Sequence, residues 1–282
     1  MEAIFQNFSN LTWQQVVMWA IGGILIYLAI KKDMEPSLLL PMGFGAILVN
    51  IPMSGAITQV IDGVKEIGVL NVLFDGGIAN ELFPLLLFIG IGAMIDFEPL
   101  LSNPKLMLFG ASAQFGIFAT LVAASLLGFP LKDAASIAII GAADGPTSIF
   151  VANYLHSNYL GPIIIAAYSY MALVPIVQPP VIKLLTTKHE RRIRMEYSGS
   201  AVSPATKILF PIIVTVIAGV FAPRSVALVG FLMFGNLIRE CGVLGSLSET
   251  AQKVLANLIT LLLGLTVAAN MQAESFITLR TL

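Results

Sequence analysis

In the run Gly141-Ala142-Ala143-Asp144-Gly145-Pro146-Thr147-Ser148, a carboxylate, a helix breaker and two hydroxyls stand inside an apolar segment. A charged Asp144 at bilayer depth costs about 2.5 to 3.5 kcal/mol on insertion scales unless a partner offsets it. Pro146 has no amide hydrogen to give the Ala142 carbonyl, and Gly145 lets the chain leave helical dihedrals. Backbone oxygens are thereby released beside a carboxylate and the Thr147 and Ser148 hydroxyls, which is the ligand set of a hard cation. Interrupted helices of this kind hold Na⁺ or H⁺ near the midplane of transporters. Asp144, Ala142, Thr147 and Ser148 are therefore the candidate Na⁺ ligands. The plainer alternative makes Asp144 the N-cap of a half-helix from Pro146 to Asn153, with a proline near its first position. The two roles are compatible.

A second polar group follows in Ala167-Tyr168-Ser169-Tyr170-Met171, with Pro175, Gln178, Pro179 and Pro180 beyond it. Pro175 removes the hydrogen bond to the Met171 carbonyl, so a kink is expected beside Tyr170. A phenol titrates near pH ~10, and an adjacent cation lowers that value enough for the hydroxyl to exchange a proton during a cycle. Tyr170 is the candidate for that role. The alternative places Tyr168 or Tyr170 in an interfacial aromatic belt. Tyr170 lies nearer the centre of its apolar block than either end.

The elements that must position these groups are membrane helices. With 57% hydrophobic and 11% charged residues over 282 positions and a mean hydropathy of +0.90, the chain is too apolar for a soluble domain. A net charge of -1 argues against nucleic acid as a partner. Cys241 has no second thiol for a disulfide or redox motif, and His156 and His189 lack metal-ligand spacing. The first apolar run is long enough to span and has no basic flank before it, so no cleavable signal is expected. About nine apolar blocks follow one another: 13–30, 37–51, 82–95, 106–127, 134–154, 162–182, 208–221, 225–237 and 254–269. Several are short for a span and are expected to be shielded by protein. The longest connection, 52–80, is Gly-rich and is expected on the surface; no strand alternation is visible. The reading is an all-α polytopic helical bundle in a lipid bilayer, one transmembrane domain over 1–282.

Charge placement bears on the Asp144 block. With the N-terminus outside and a fifth block that enters and returns, eleven of the fifteen Lys and Arg residues face the cytoplasm, including Lys183, Lys188, Arg191, Arg192 and Arg194. Lys65, Lys132, Arg224 and Arg280 face out. A fully spanning fifth block scatters the cations over both sides. An interrupted or re-entrant segment is expected, which is also where irregular backbone is tolerated in a membrane.

GAADGPTSIF at 141–150, AAYSYMALVPIVQPP at 166–180, FGNLIRECGV at 234–243 and GIGAMIDFEPLLSNPKLMLFGASAQFGIFAT at 90–120 resemble the membrane β subunit of the sodium-translocating decarboxylases. Those systems act on oxaloacetate, methylmalonyl-CoA, glutaconyl-CoA or malonate. The resemblance runs from residue 28 to residue 282. It implies a bacterial or archaeal cytoplasmic-membrane subunit that receives carboxybiotin from a carrier domain, releases CO₂, exports Na⁺ and takes up a proton. Implied partners are biotin carrier and carboxyltransferase subunits, a small γ/δ-type membrane subunit and further copies of the chain. In the family the aspartate of the interrupted motif is a sodium-site residue, Asp144 here, and the tyrosine matching Tyr170 is linked to Na⁺ or proton transfer. The family pattern resembles two inverted repeats, of which one and a half are expected here. The second interrupted motif, of the Asn-Pro-Leu-Ile-Gly-Ser-Ala-Gly-Val-Ser type, would lie beyond residue 282. A secondary ion or organic-anion transporter without decarboxylase chemistry is the rival reading, and a structural membrane anchor for a soluble enzyme is a third.

Overall fold

The computed structural model describes residues 10–33, 35–61, 63–194 and 202–277, with the backbone alone at 61, 165, 168–176 and 275–276. Helices dominate, as hydrocarbon requires: each backbone polar group must be paired within its own segment. Helix α1 (Trp13–Lys32) opens on a capping box in which Thr12 and Gln15 satisfy each other's orphan N–H groups. It ends on Lys31 and Lys32, which suit the negative pole of the helix. Helix α2 (Pro36–Val49) packs against it through glycines; a Cβ on Gly22 would lie 2.6 Å from the Gly43 carbonyl oxygen. Small residues at such contacts let helices touch where lipid gives no hydrophobic drive. Although only 14 residues long, α2 buries Leu38, Leu39, Met42, Ala46 and Val49. The expectation that short blocks are shielded holds there.

The connection 52–80 departs from its expectation. Strands β1 (Gln59–Ile61) and β2 (Val64–Glu66) form an antiparallel hairpin with Val60 opposite Lys65. Three-residue strands are too short to show alternation, and the signal was the Asp62-Gly63 pair, of which Gly63 stands at φ +79°. The second half of the connection is helix α3 (Val69–Ala79), whose last six residues form a π-turn, and it buries Leu70, Gly77 and Ile78. It bends by 60° onto α4 (Leu82–Met94), making one broken apolar pair rather than a surface loop.

The remaining longer helices are α5 (Met107–Leu126), α6 (Leu131–Ala138), α7 (Gly145–Tyr154), α8 (Leu160–Leu185), α9 (Pro204–Phe221), α10 (Val226–Glu240) and α11 (Ala256–Val267), the last being the centre of a helical run over Gly245–Asn270. Four helices in the described residues are long and apolar enough to cross a membrane, five if α3 and α4 count as one span. The largest core cluster joins α1, α2, α3, α4, α7, α8 and α11 through Met18, Met42, Ile78, Phe83, Ile149, Ile164 and Leu263. Helices α4 and α10 meet at Gly92 and Gly235, where a Cβ would fall 1.8 Å from Leu232 O and 2.0 Å from Ile89 O. Beside that contact the buried Asn236 gives its amide to Ile95 O at 3.0 Å, and Arg239 gives Nη1 to Met94 O at 2.8 Å. These side chains satisfy carbonyls that the end of α4 leaves unpaired.

Contacts between loops sort the helix ends into two levels. At one, Lys207 pairs with Glu98 at 2.5 Å and Arg239 approaches Asp96 at 3.8 Å. At the other, Asn50 binds Met271 O and Ala273 N, Asn153 gives its amide to Ala79 O at 2.8 Å, and Arg224 stacks over Tyr154 at 5.1 Å. Asp133 meets Ser157 at this second level. The first level carries the cation-rich loops.

Candidate functional site

The fifth apolar block is a hairpin. Helix α6 passes into a 3₁₀ turn (Ile139–Ala142), Ala143 takes the left-handed conformation at φ +56°, and Asp144 turns extended at φ -134° before α7 begins. Pro146 falls in the first turn of α7, where its missing N–H costs nothing and its fixed φ favours the start. The chain therefore reverses at Ala143 and Asp144. Twenty-four residues of straight helix would separate Asp133 from Ser157 by about 36 Å. Instead Ser157 Oγ donates to Asp133 Oδ1 at 2.8 Å. Both feet of the hairpin stand at the same level, and the segment enters and returns as the charge pattern requires.

At the tip, the Thr147 hydroxyl donates to Asp144 Oδ2. The Ser148 hydroxyl, fully buried, donates to the Asp144 main-chain oxygen at 3.0 Å, and the Ser148 N–H reaches the same oxygen at 3.2 Å. Gly141, Ala142 and Ala143 are exposed, Asp144 and Thr147 half-buried, and Gly145, Pro146 and Ser148 buried. Asp144 does occupy the N-cap position, but its carboxylate makes no capping bond to a backbone N–H of α7 and takes the Thr147 hydroxyl instead. Of the four candidate ligands, Asp144 and Thr147 are brought together directly. Ala142 lies on the exposed approach to them, with Pro146 unable to return a hydrogen bond to its carbonyl. Ser148 is turned behind the tip, keeping lone pairs on an oxygen whose hydrogen is already given. No three His, Cys, Asp or Glu residues among the described residues gather as a metal cluster. The set is a single carboxylate with neutral oxygens, which suits a monovalent hard cation better than a transition metal.

Tyr170 lies in α8, which continues through Pro175 to Leu185 without interruption. The side chains of Tyr168 and Tyr170 lie outside the described residues. Helices α7 and α8 share the turn at 155–159, and about 1.5 Å per residue from that turn brings the Tyr170 backbone to about the depth of Asp144. Nothing in the sequence alone marks Asp133, Asn153 and Asn236 as the buried or bridging polar groups they are. Asp133 sits at a block edge, where a carboxylate is unremarked, and only its return partners Ser157 and Asn158 would have marked it.

A family model described as the Na⁺-transporting oxaloacetate decarboxylase beta subunit matches residues 14–282. The chain belongs to this family. It is similar to the glutaconyl-CoA decarboxylase subunit beta of Acidaminococcus fermentans, 48% identical over 98% of this chain and 71% of the relative. It is also similar to the methylmalonyl-CoA decarboxylase subunit beta of Propionigenium modestum, 46% identical over 98% of this chain and 74% of the relative. The oxaloacetate decarboxylase beta chain of Klebsiella pneumoniae is 40% identical over 95% of this chain and 74% of the relative. The protein is thus a membrane beta subunit of a Na⁺-transporting decarboxylase, multi-pass and helical. Within this beta-subunit fold the tip of the Asp144 hairpin brings one carboxylate and a stretch of unwound backbone together.

Proposed function

We propose that this beta subunit releases CO₂ from carboxybiotin on a partner carrier domain and couples that step to Na⁺ export and proton uptake across a bacterial or archaeal cytoplasmic membrane. The cation-rich end faces the cytoplasm. A soluble carboxyltransferase subunit loads the carrier, and a small γ/δ-type membrane subunit and further copies of the chain complete the assembly. In the chemical step the bond between the carboxyl carbon and the biotin ring nitrogen breaks, CO₂ departs, and the nitrogen takes a proton. A group that gives up a proton as the ion moves ties this step to transport.

The observation that carries the reading is the carboxylate at the tip of a hairpin that ends within the bundle, with the Thr147 hydroxyl on it and exposed backbone ahead of it. Asp144 balances the Na⁺ charge, Thr147 and the Ala142 carbonyl complete its oxygen shell, and Ser148 holds the Asp144 backbone in place. Tyr170, at matching depth, exchanges the proton. Coupling requires that Na⁺ bind differently in states open to opposite sides, since equal affinity shifts nothing.

The test uses the complex, with its carrier and carboxyltransferase partners, in proteoliposomes, recording decarboxylation and ²²Na⁺ uptake together. Asp144→Asn keeps size and most hydrogen bonding but removes the balancing charge. Both rates are expected to fall about 100-fold or more, on the scale of a lost charge-stabilising contact, while the subunit still inserts and assembles. Full activity of that variant at low Na⁺ would overturn the site. Na⁺ movement with no carboxybiotin turnover in the wild type would favour the exchanger reading.

A further inference from the structure

Asp133 is a fully buried carboxylate that the proposed chemistry does not use. It lies in the first turn of α6, and its neighbours are donors from the turn between α7 and α8. Oδ1 accepts Ser157 Oγ at 2.8 Å and Asn158 N at 2.9 Å, and Oδ2 accepts Asn158 Nδ2 at 3.0 Å. Lys132 Nζ reaches His156 O at 3.1 Å, and the Ser157 oxygen also accepts Tyr159 N at 3.2 Å. His156 is held at φ +50°, a conformation a non-glycine residue adopts at a cost. Three consecutive residues, 156–158, are thus gathered onto one acidic side chain and its neighbour, with Tyr159 tied to them through Ser157.

Burying a carboxylate is costly, and an apolar side chain of similar size would fill the space without that cost. A carboxylate differs in being directional: three donors fix its plane and so fix the turn that binds it. We propose that Asp133 is a positioning residue for the Asp144 ion site, clamping the two feet of the re-entrant hairpin so that its tip is held at one place in the bundle. This rests on the reading of Asp144 as the Na⁺ ligand. The lever is short and stiff. Helix α7 has 10 residues, about 15 Å of rise, so a tilt of about 5° at its foot moves the tip by about 1.3 Å. Misplacement of about 1 Å at a functional group is enough to cost roughly 100-fold.

The test is the Na⁺ dependence of decarboxylation by the complex in proteoliposomes, with thermal unfolding of the same preparations. Asp133→Asn, Ser157→Ala and Asn158→Ala each loosen the clamp without touching the tip. Each is expected to raise the half-saturating Na⁺ concentration, about 3-fold for the single donors and about 10-fold or more for Asp133→Asn, with a smaller change in maximal turnover. Asp133→Glu, which keeps the charge and the acceptors, is expected to recover part of the Asp133→Asn loss. An unchanged Na⁺ constant in folded Ser157→Ala and Asn158→Ala, or a lower unfolding temperature with wild-type Na⁺ dependence, would show a clamp that only stabilises the fold. Should Asp133→Asn not assemble, the two donor variants still decide the matter. If Asp144→Asn abolishes Na⁺ dependence while these variants keep it, only the clamp role fails; if Asp144→Asn itself keeps it, the ion site fails.

Discussion

The Thr147 hydroxyl rests on the carboxylate that is assigned the ion, and that contact sets its contribution. Hydrogen bonds to charged groups contribute about 1.5 to 3 kcal/mol, and about 1.4 kcal/mol is a factor of ten. Thr147→Val, which keeps the branched shape, is therefore expected to raise the Na⁺ concentration for half-maximal decarboxylation about tenfold. A wild-type titration would leave Thr147 as a helix-start residue only. Tyr170→Phe is expected to halt or uncouple turnover and to change its pH dependence, with Tyr168→Phe much milder. Recording decarboxylation and Na⁺ transport together across pH for both variants checks this, and equal small effects would return Tyr170 to packing. Asp144 was legible in the sequence because a carboxylate, a glycine and a proline rarely meet inside an apolar run without a purpose. The commitment of the Ser148 hydroxyl to the Asp144 carbonyl was not, because a hydroxyl four residues into a helix reads the same whether it faces forward or back.

Elements long enough to span are legible in the sequence: α1, α5 and α9 begin and end within a few residues of blocks 13–30, 106–127 and 208–221. Those shaped by tertiary contact are not. Helix α3 was hidden because Gly76, Gly77 and Asp75 dilute its apolar signal, and its burial comes from α4 and α11 folding over it. The tight crossing of α4 and α10 gives a direct stability prediction. Gly235→Ala would place a methyl 2.0 Å from Ile89 O, so the helices must separate. A loss of roughly 1 to 3 kcal/mol is expected, as for other overpacked contacts. Thermal unfolding of the purified complex measures it, and an unchanged midpoint would mean the two helices slide apart freely. Asn236 and Arg239, which cap the end of α4 nearby, explain why the FGNLIRECGV segment carries polar groups without placing them at the ion site.

For the whole molecule, the placement of all fifteen cations favours a re-entrant fifth segment, and the Asp133–Ser157 contact, which brings its two ends together, agrees with that. Side is testable. With Cys241 replaced by Ser, single cysteines at Lys132 and His156 are expected to react with an impermeant maleimide from the outer face of intact cells. A cysteine at Lys188 is expected to react only after the membrane is opened. Labelling of position 156 from the cytoplasmic face alone would require a fully crossing fifth segment and would undo the hairpin topology. The hairpin also constrains biogenesis. Neither arm reaches the roughly 20 apolar residues that a translocon recognises as a span, since α6 has 8 residues, its 3₁₀ extension 4, and α7 10. Taken together as one apolar stretch, they invite insertion as a single crossing, which would invert everything synthesised afterwards. The correct orientation is therefore expected to become fixed only once the turn after α7 has emerged and folded back onto Asp133. Insertion is thus expected to be ordered in time, with the Asp144 segment settling into the bilayer after the helices on both sides of it.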